Sequence, residues 1–364
     1  TASYNGTSTV TPSAVTVTGL VNNESAAVLS SVTASGATGK NYGNYTNTVT
    51  GTDSNYNLTL VNGTLAIAKA SLAVVGANAS ATYTGQAQTN SAATVTGAQG
   101  TDSFTVAGYG SGTNASATAY ADNLAATAAG STLASNYNIS YTNGGITIGK
   151  AGLTVTADNK TKVYGDANPA LTYTITGYVN GESASVITGA PTISTTAGAT
   201  TNVGAATITA AANNLAATNY SFSYANGSLA ISAAPLTITG ANSNVTYSGV
   251  AQTNSAATVS GLKNSNSFTI TGYGVGTNAS ATAYADNLVA TPAAGTQATN
   301  YAITYTNGGI TIGKANATVT ANSANPTYNG QTQSVTGFTA TGLVNNQTIA
   351  VLTGVSASGA TGTN

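Results

Sequence analysis

The chain has 364 residues, only 4% of them charged, and a formal net charge of −1. Soluble domains ordinarily carry about a quarter charged residues, so nothing here offers electrostatic attraction to nucleic acid or an anionic membrane. Cys, Met, Trp, His and Arg are absent, which excludes disulfides, zinc and iron–sulfur sites and imidazole or thiolate chemistry, and makes the chain indifferent to redox compartment.

No run of about eighteen apolar residues occurs, so no membrane insertion is expected in this segment, and any targeting sequence is expected outside it. Thr, Ser, Asn, Gly and Ala dominate, but the chain also has 20 tyrosines at periodic positions. Disordered tracts lack such apolar patterning.

Residues 1–69 read as a partial module. It opens on the mark Tyr4-Asn5-Gly6, offers one or two helical turns over 24–29, and closes with NYNLTLVNGTLAIAKA at 55–70. The closing string returns as NYNISYTNGGITIGKA (136–151), NYSFSYANGSLAISAA (219–234) and NYAITYTNGGITIGKA (300–315). Each copy centres on Asn-Gly, at Asn62-Gly63, Asn143-Gly144, Asn226-Gly227 and Asn307-Gly308, the dipeptide suited to a two-residue type I′ turn. The string therefore predicts a hairpin. Counting outward pairs Tyr141 with Ile146, Ile139 with Ile148 and Tyr137 with Lys150, leaving Thr142, Ser140, Thr147 and Gly149 on the other face.

Residues 70–150, 151–233 and 234–314 follow as three complete β modules, and 315–364 as a second partial one. The Tyr-Gly mark recurs at Tyr83, Tyr164, Tyr247 and Tyr328, and the closing tyrosines are Tyr56, Tyr137, Tyr220 and Tyr301; both series step by 81, 83 and 81. From each closing tyrosine to the next mark the distance is always 27, whereas from mark to closing tyrosine it varies from 52 to 56. A flexible linker has no reason to hold its length. The constant part spans the junctions near Lys69, Lys150, Ala233 and Lys314, so the last strand of one module is expected to run directly into the first of the next, as Ile146-Thr147-Ile148 into Leu153-Thr154-Val155. The variable part should hold surface loops.

The second and fourth modules are sisters, matching at an offset of 164 through GTNASATAYADNL and TNSAATV. The third differs, with VYGDANPALTYTITGYVNGESASVITG at 163–189 and a second short helical candidate over 182–187. The two ends share GLVNN and ASGATG at an offset of 323, so the chain is expected to be a window on a longer array. Unlike neighbours are less prone to swap strands. No sub-period of roughly twenty residues argues for a solenoid. The fold class is therefore all-β: a tandem array of small β-sandwich or β-grasp-like modules of about 81 residues with stiff junctions.

Catalytic chemistry finds little to work with. Hydrolysis needs a nucleophile with a base, or paired carboxylates, and the eight acids (Glu24, Asp53, Asp102, Asp122, Asp158, Asp166, Glu182 and Asp286) are scattered. Asp122 and Asp286, in AYADNL of the sister modules, read as strand-ending turns. Asp158 and Asp166 flank a turn and are close enough in sequence to meet, although two solvated turn residues is the simpler reading. Calcium needs clustered oxygen ligands, and the only weak candidate is near Asp166. The glycine-rich string 108–112 lacks the helix and Lys-Thr of a phosphate cradle. Lys69, Lys150 and Lys314, opposite Tyr56, Tyr137 and Tyr301 in the hairpin count, read as stems lying on rings rather than as isopeptide donors. Asn-x-Ser/Thr triplets at Asn57, Asn62, Asn78, Asn114, Asn138, Asn226, Asn244, Asn278 and Asn316 arise readily in such a composition. No catalytic, cofactor-binding or metal-ligating residue is assigned, and no enzyme activity is expected.

The closing string, with Val163-Tyr164-Gly165-Asp166-Ala167-Asn168-Pro169 and Gly177-Tyr178-Val179-Asn180-Gly181-Glu182, resembles the MBG/YDG-type repeat domains of very large bacterial surface and secreted adhesins, including filamentous-haemagglutinin-like proteins. The resemblance is most specific in the third module and implies a tandem array of β-rich domains forming an extracellular stalk in adhesion or biofilm. Contact with host or matrix would then fall to regions outside this window. The second reading is a self-assembling extracellular filament, favoured by the low charge. The third is a glycan-binding module using Tyr109 and Tyr273 as exposed rings.

Overall fold

The computed structural model describes residues 1–6 and 15–362. Its regular structure is β-strand with single 3₁₀ turns, at Ala26–Val28, Ala134–Asn136, Ala184–Val186, Ala298–Asn300 and Ile349–Val351. Two of these turns fall inside the helical candidates at 24–29 and 182–187. Among the described residues no helix is long and apolar enough to cross a membrane. The chain forms two compact units, one of Thr1–Val155, Ile175–Pro191 and Ala212–Tyr224, the other of Thr156–Thr174, Thr192–Ala211 and Ala225–Asn364.

In the first unit, the second module shows the plan. Its start strands Ala70–Gly76 and Asn78–Thr82 are separated by one residue, and its closing strands Tyr137–Thr142 and Gly145–Gly149 by two. The two ribbons run parallel, Tyr137–Thr142 against 70–75 in six-residue register and Gly145–Gly149 against Asn78–Thr82 in five. Ala93–Thr96 adds antiparallel to the first pair, and Ser116–Ala121 to the second. Both ribbons thus pass from one three-stranded sheet into another at the same level.

This overturns the hairpin. Tyr137–Thr142 and Gly145–Gly149 belong to different sheets, as do Tyr220–Ala225 and Gly227–Ser232, and Tyr301–Thr306 and Gly309–Gly313. Neither residue of the four closing-string pairs, Asn62-Gly63, Asn143-Gly144, Asn226-Gly227 and Asn307-Gly308, has positive φ, which a type I′ turn needs at both positions. The dipeptide serves a different need. A Cβ on Gly144 would lie 2.1 Å from the Ala77 carbonyl oxygen, and on Gly308 2.2 Å from that of Ala241, so glycine is required by close backbone approach. The Asn side chains tie the step down: the Oδ1 of Asn62, Asn143, Asn226 and Asn307 accepts the N–H of Val49, Leu124, Ala210 and Leu288. The expected alternation survives in part because its period of two does not depend on the partner. Tyr137, Ile146 and Ile148 are buried, but Tyr141 is exposed.

Three of the four junctions are as direct as the constant spacing requires, whereas at Lys314 four residues separate Gly309–Gly313 from Thr318–Ala321. A single residue separates Gly63–Ala68 from Ala70–Gly76, Gly145–Gly149 from Ala151–Ala157, and Gly227–Ser232 from Ala234–Gly240. The apolar cores lie across these joints. Leu65 and Ile67 before the first joint cluster with Ala70, Leu72, Val74 and Tyr137 after it; Ile146 and Ile148 cluster with Ala151, Leu153 and Tyr220 across the second. The second module therefore contributes one sheet to the core behind it and the other to the core ahead. Within the second unit, Leu229, Ile231, Ala234, Leu236 and Ile238, on the two strands flanking Ala233, are likewise buried.

Candidate functional site at the module junctions

With an active centre absent from the sequence reading, the recurring polar feature is a clasp at each joint. It begins with two tyrosines. The mark tyrosine of one module meets the closing tyrosine of the next edge to face: Tyr4 and Tyr137 at 5.4 Å between ring centroids, Tyr83 and Tyr220 at 5.5 Å, Tyr164 and Tyr301 at 5.6 Å. All six are buried, in the geometry favoured by the ring quadrupoles. Phe104 and Phe268 add a further edge contact to Tyr137 and Tyr301.

Buried phenols need partners, and one residue per joint supplies them. Tyr4 and Tyr137 both donate to Asp102 Oδ2, at 2.7 and 2.6 Å. Tyr83 donates to Glu182 Oε1 at 2.5 Å, and Tyr220 donates to Glu182 Oε2. At the third joint the bridge is an amide: Asn266 Nδ2 donates to the phenol oxygens of Tyr164 and Tyr301, each at 3.0 Å, and Tyr301 turns its proton to the Lys263 carbonyl. Gln347 Nε2 donates to Tyr247 at 2.6 Å, and Tyr56 donates to Glu24. The closing phenols also accept a loop N–H, from Val21, Gln99, Val179 and Lys263.

The electrostatics follow from the bonding. At Asp102 burial acts to raise the carboxyl pKa, but the phenol bonds from Tyr137 and Tyr4 outweigh it and hold it below the ordinary carboxylate value. The bonds from Tyr220 and Tyr83 lower that of Glu182. The phenols move the other way: burial and the Asp102 bond raise Tyr137 and Tyr4, the Glu182 bond and burial raise Tyr83, and burial and the Glu182 bond raise Tyr220.

The glycine of the mark is part of the clasp. Gly6, Gly85, Gly165 and Gly249 all have φ between +75° and +86°, and a Cβ on them would lie 2.5 to 2.7 Å from the next module's loop at Gln99, Asn180, Lys263 and Asn345. Asn180 and Asn345 return Nδ2 bonds to the carbonyls of Gly85 and Gly249. A second tie comes from the Asn before each closing tyrosine. Asn136, Asn219 and Asn300 accept the N–H of Tyr42, Ala115 and Val203, and donate to Asn41, Asn114 and Asn202.

Other expectations fare differently. Lys69 does not lie on Tyr56 but 5.0 Å from the centroid of the Tyr42 ring, and Lys150 does not lie on Tyr137 but donates to the Ala217 carbonyl. Both differences follow from the lost hairpin register. Asp158 accepts from Thr172 and Thr174 while Asp166 pairs with Lys263 at 2.9 Å, so the two acids take separate partners. Tyr109 and Tyr273 are half-buried, not exposed, and Tyr109 packs against the first core. Asp122 and Asp286 directly follow the strand ends at Ala121 and Ala285, as the sequence predicts, and both are buried. Asp122 is buried and accepts from Asn90 Nδ2, Gly110 N and Gly144 N; Asp286 repeats this with Asn254, Gly274 and Gly308. Each carboxylate locks the sheet-to-sheet step of its module.

Sequence reasoning missed the bridging residue. Glu24, Asp102, Glu182, Asn266 and Gln347 recur at intervals of 78, 80, 84 and 81, a module-length series hidden because its members differ in charge and type. The family model described as MBG domain (YGX type) matches residues 3–66 and 153–230. No curated protein matches the chain.

Proposed function

We propose, from the premise that the chain carries MBG-type repeats of the YGX kind, that it is a structural segment of an exported bacterial protein, extending as a stalk in adhesion or biofilm. MBG domains are associated with repeat regions of surface proteins. The observation that carries the reading is the clasp. From joint to joint the bridge varies among Asp, Glu and Asn, while the ring centroids of the tyrosine pair stay between 5.4 Å and 5.6 Å apart. What is held constant is the tyrosine contact, and among the described residues no constellation of reacting groups recurs with it. A non-enzymatic role is part of the proposal.

Electron microscopy and sedimentation of the chain, and of longer chains carrying one and two further copies of 70–233, test it. Monomeric particles whose length grows in proportion to module number support a covalent stalk. Compact particles, or bundles that form with rising concentration, count against it; the latter point to the filament reading, which the 4% charge content favours.

A further inference from the structure

We infer that Asn180-Gly181 is a spontaneous deamidation site set into the joint between the second and third modules, and that its reaction loosens that joint. This stands independently of the stalk reading. The chemistry needs only the chain and water. Gly181 N bonds to Asn180 Cγ, the Cγ–Nδ2 bond breaks, and ammonia leaves with the proton of the Gly181 amide; water then opens the succinimide at either carbonyl, giving aspartate or isoaspartate. Glycine favours the attack because it has no Cβ to hinder the nitrogen.

The fold leaves this dipeptide open to the reaction. Glu182 N–H donates to the Val179 carbonyl at 3.0 Å, and Asn180 and Gly181 between them have φ of +54° and +73°, the positive pair of a two-residue type I′ turn. Both are exposed. Among the described residues no acceptor takes the Gly181 N–H. The closing strings hold the same dipeptide shut. Gly144 and Gly308 donate N–H to Asp122 and Asp286 Oδ2, each at 3.1 Å, and Gly227 lies in a ladder opposite Ile208. The Oδ1 atoms of Asn143, Asn226 and Asn307 are bonded to the neighbouring chain. Attack at these sites must first open the sheet-to-sheet step.

The consequence follows from what the turn carries. Asn180 Nδ2 donates to the Gly85 carbonyl at 3.1 Å, and its Oδ1 accepts from Gln86 Nε2 at 2.7 Å. The nitrogen that leaves as ammonia is thus the one that holds Gly85. A carboxylate in its place turns an acceptor toward that carbonyl. The turn also presents the clasp: Val179 N–H donates to the Tyr220 phenol, and Glu182 accepts from Tyr83 and Tyr220. Isoaspartate would put one more backbone carbon between these two attachments. The equivalent turns before Glu24, Asp102, Asn266 and Gln347 contain no Asn-Gly, which singles out this joint.

The test holds the full chain in mildly alkaline buffer, natively and in urea, and follows deamidation and isoaspartate at each Asn-Gly by peptide mapping and mass spectrometry. In the native chain Asn180 should convert roughly tenfold or more faster than Asn143, Asn226 and Asn307, because the locked sites react only through local opening. In urea the four rates should converge. Tm of the aged chain should fall in step with conversion at Asn180, with faster amide exchange at Val179 and Glu182, and Asn180→Asp, a stable analogue of one product, should lower Tm from the outset. Native conversion at Asn180 no faster than at the closing strings overturns the site. Conversion that leaves Tm and exchange unchanged overturns its effect on the joint.

Discussion

Glu182 accepts hydrogen bonds from the phenols of Tyr83 and Tyr220, which belong to two successive modules, and Asp102 does the same for Tyr4 and Tyr137. The direction of their pKa shifts fixes the pH response. Both carboxyls are depressed in the folded chain, so their contribution is present above the ordinary carboxylate value of about 4 and is lost as pH falls through the folded values. The raised phenols of Tyr4, Tyr83, Tyr137 and Tyr220 contribute fully below about 10 and lose that contribution as pH rises toward their folded values. Thermal unfolding followed from pH 2 to 11 should show a plateau with two falling limbs, and D102N with E182Q should flatten the acid limb. An acid limb of the same depth in the double variant would show that the clasps are not its source. Tyr137→Phe removes one donor from Asp102 and the acceptor of Gln99 N–H; it should cost roughly 1–3 kcal/mol in urea unfolding.

At the scale of the element, the closing string shows how a strong local signal yields to a non-local one. Asn-Gly between two alternating arms favours a hairpin, yet each arm finds a parallel partner of five or six residues on a start strand. The competition can be checked with cysteine pairs under mild oxidation. Ser140→Cys with Ala73→Cys, neighbours in the observed register, should form a disulfide; Ser140→Cys with Thr147→Cys, neighbours in a hairpin, should not. Gly144→Ala should cost about 1–3 kcal/mol by overpacking, since its Cβ meets the Ala77 carbonyl. A neutral result would mean that the crossing ribbons are looser than the structure describes.

For the whole molecule, the cores placed across the one-residue joints make the joint the stable part of the array. Two glycines inserted after Lys150 should separate Ile146 and Ile148 from Leu153 and Tyr220, lowering Tm and broadening the transition. The same insertion after Gly130, which has φ +63° and open space around it, should leave Tm nearly unchanged. Equal effects at the two sites would remove the special standing of the joint.

The module-length repeat, the all-β class, three of the four direct strand-to-strand joints and the sites of two 3₁₀ turns were legible in the sequence, because each rests on spacing or alternation along the chain. Which strands pair was not. Parallel partners such as Ile139 and Leu72 lie most of a module apart in the chain, and no local pattern distinguishes them from the antiparallel partners that an Asn-Gly turn would supply. Nor was the role of Asp102, Glu182 and Asn266. A carboxylate that accepts from two phenols and an amide that donates to them become equivalent only when the tyrosines of two modules are brought edge to face. The sequence by itself determined the period and the burial pattern through local geometry; the tertiary structure decided the partners, because the free energy of a parallel ladder and a shared core exists only after distant segments have met.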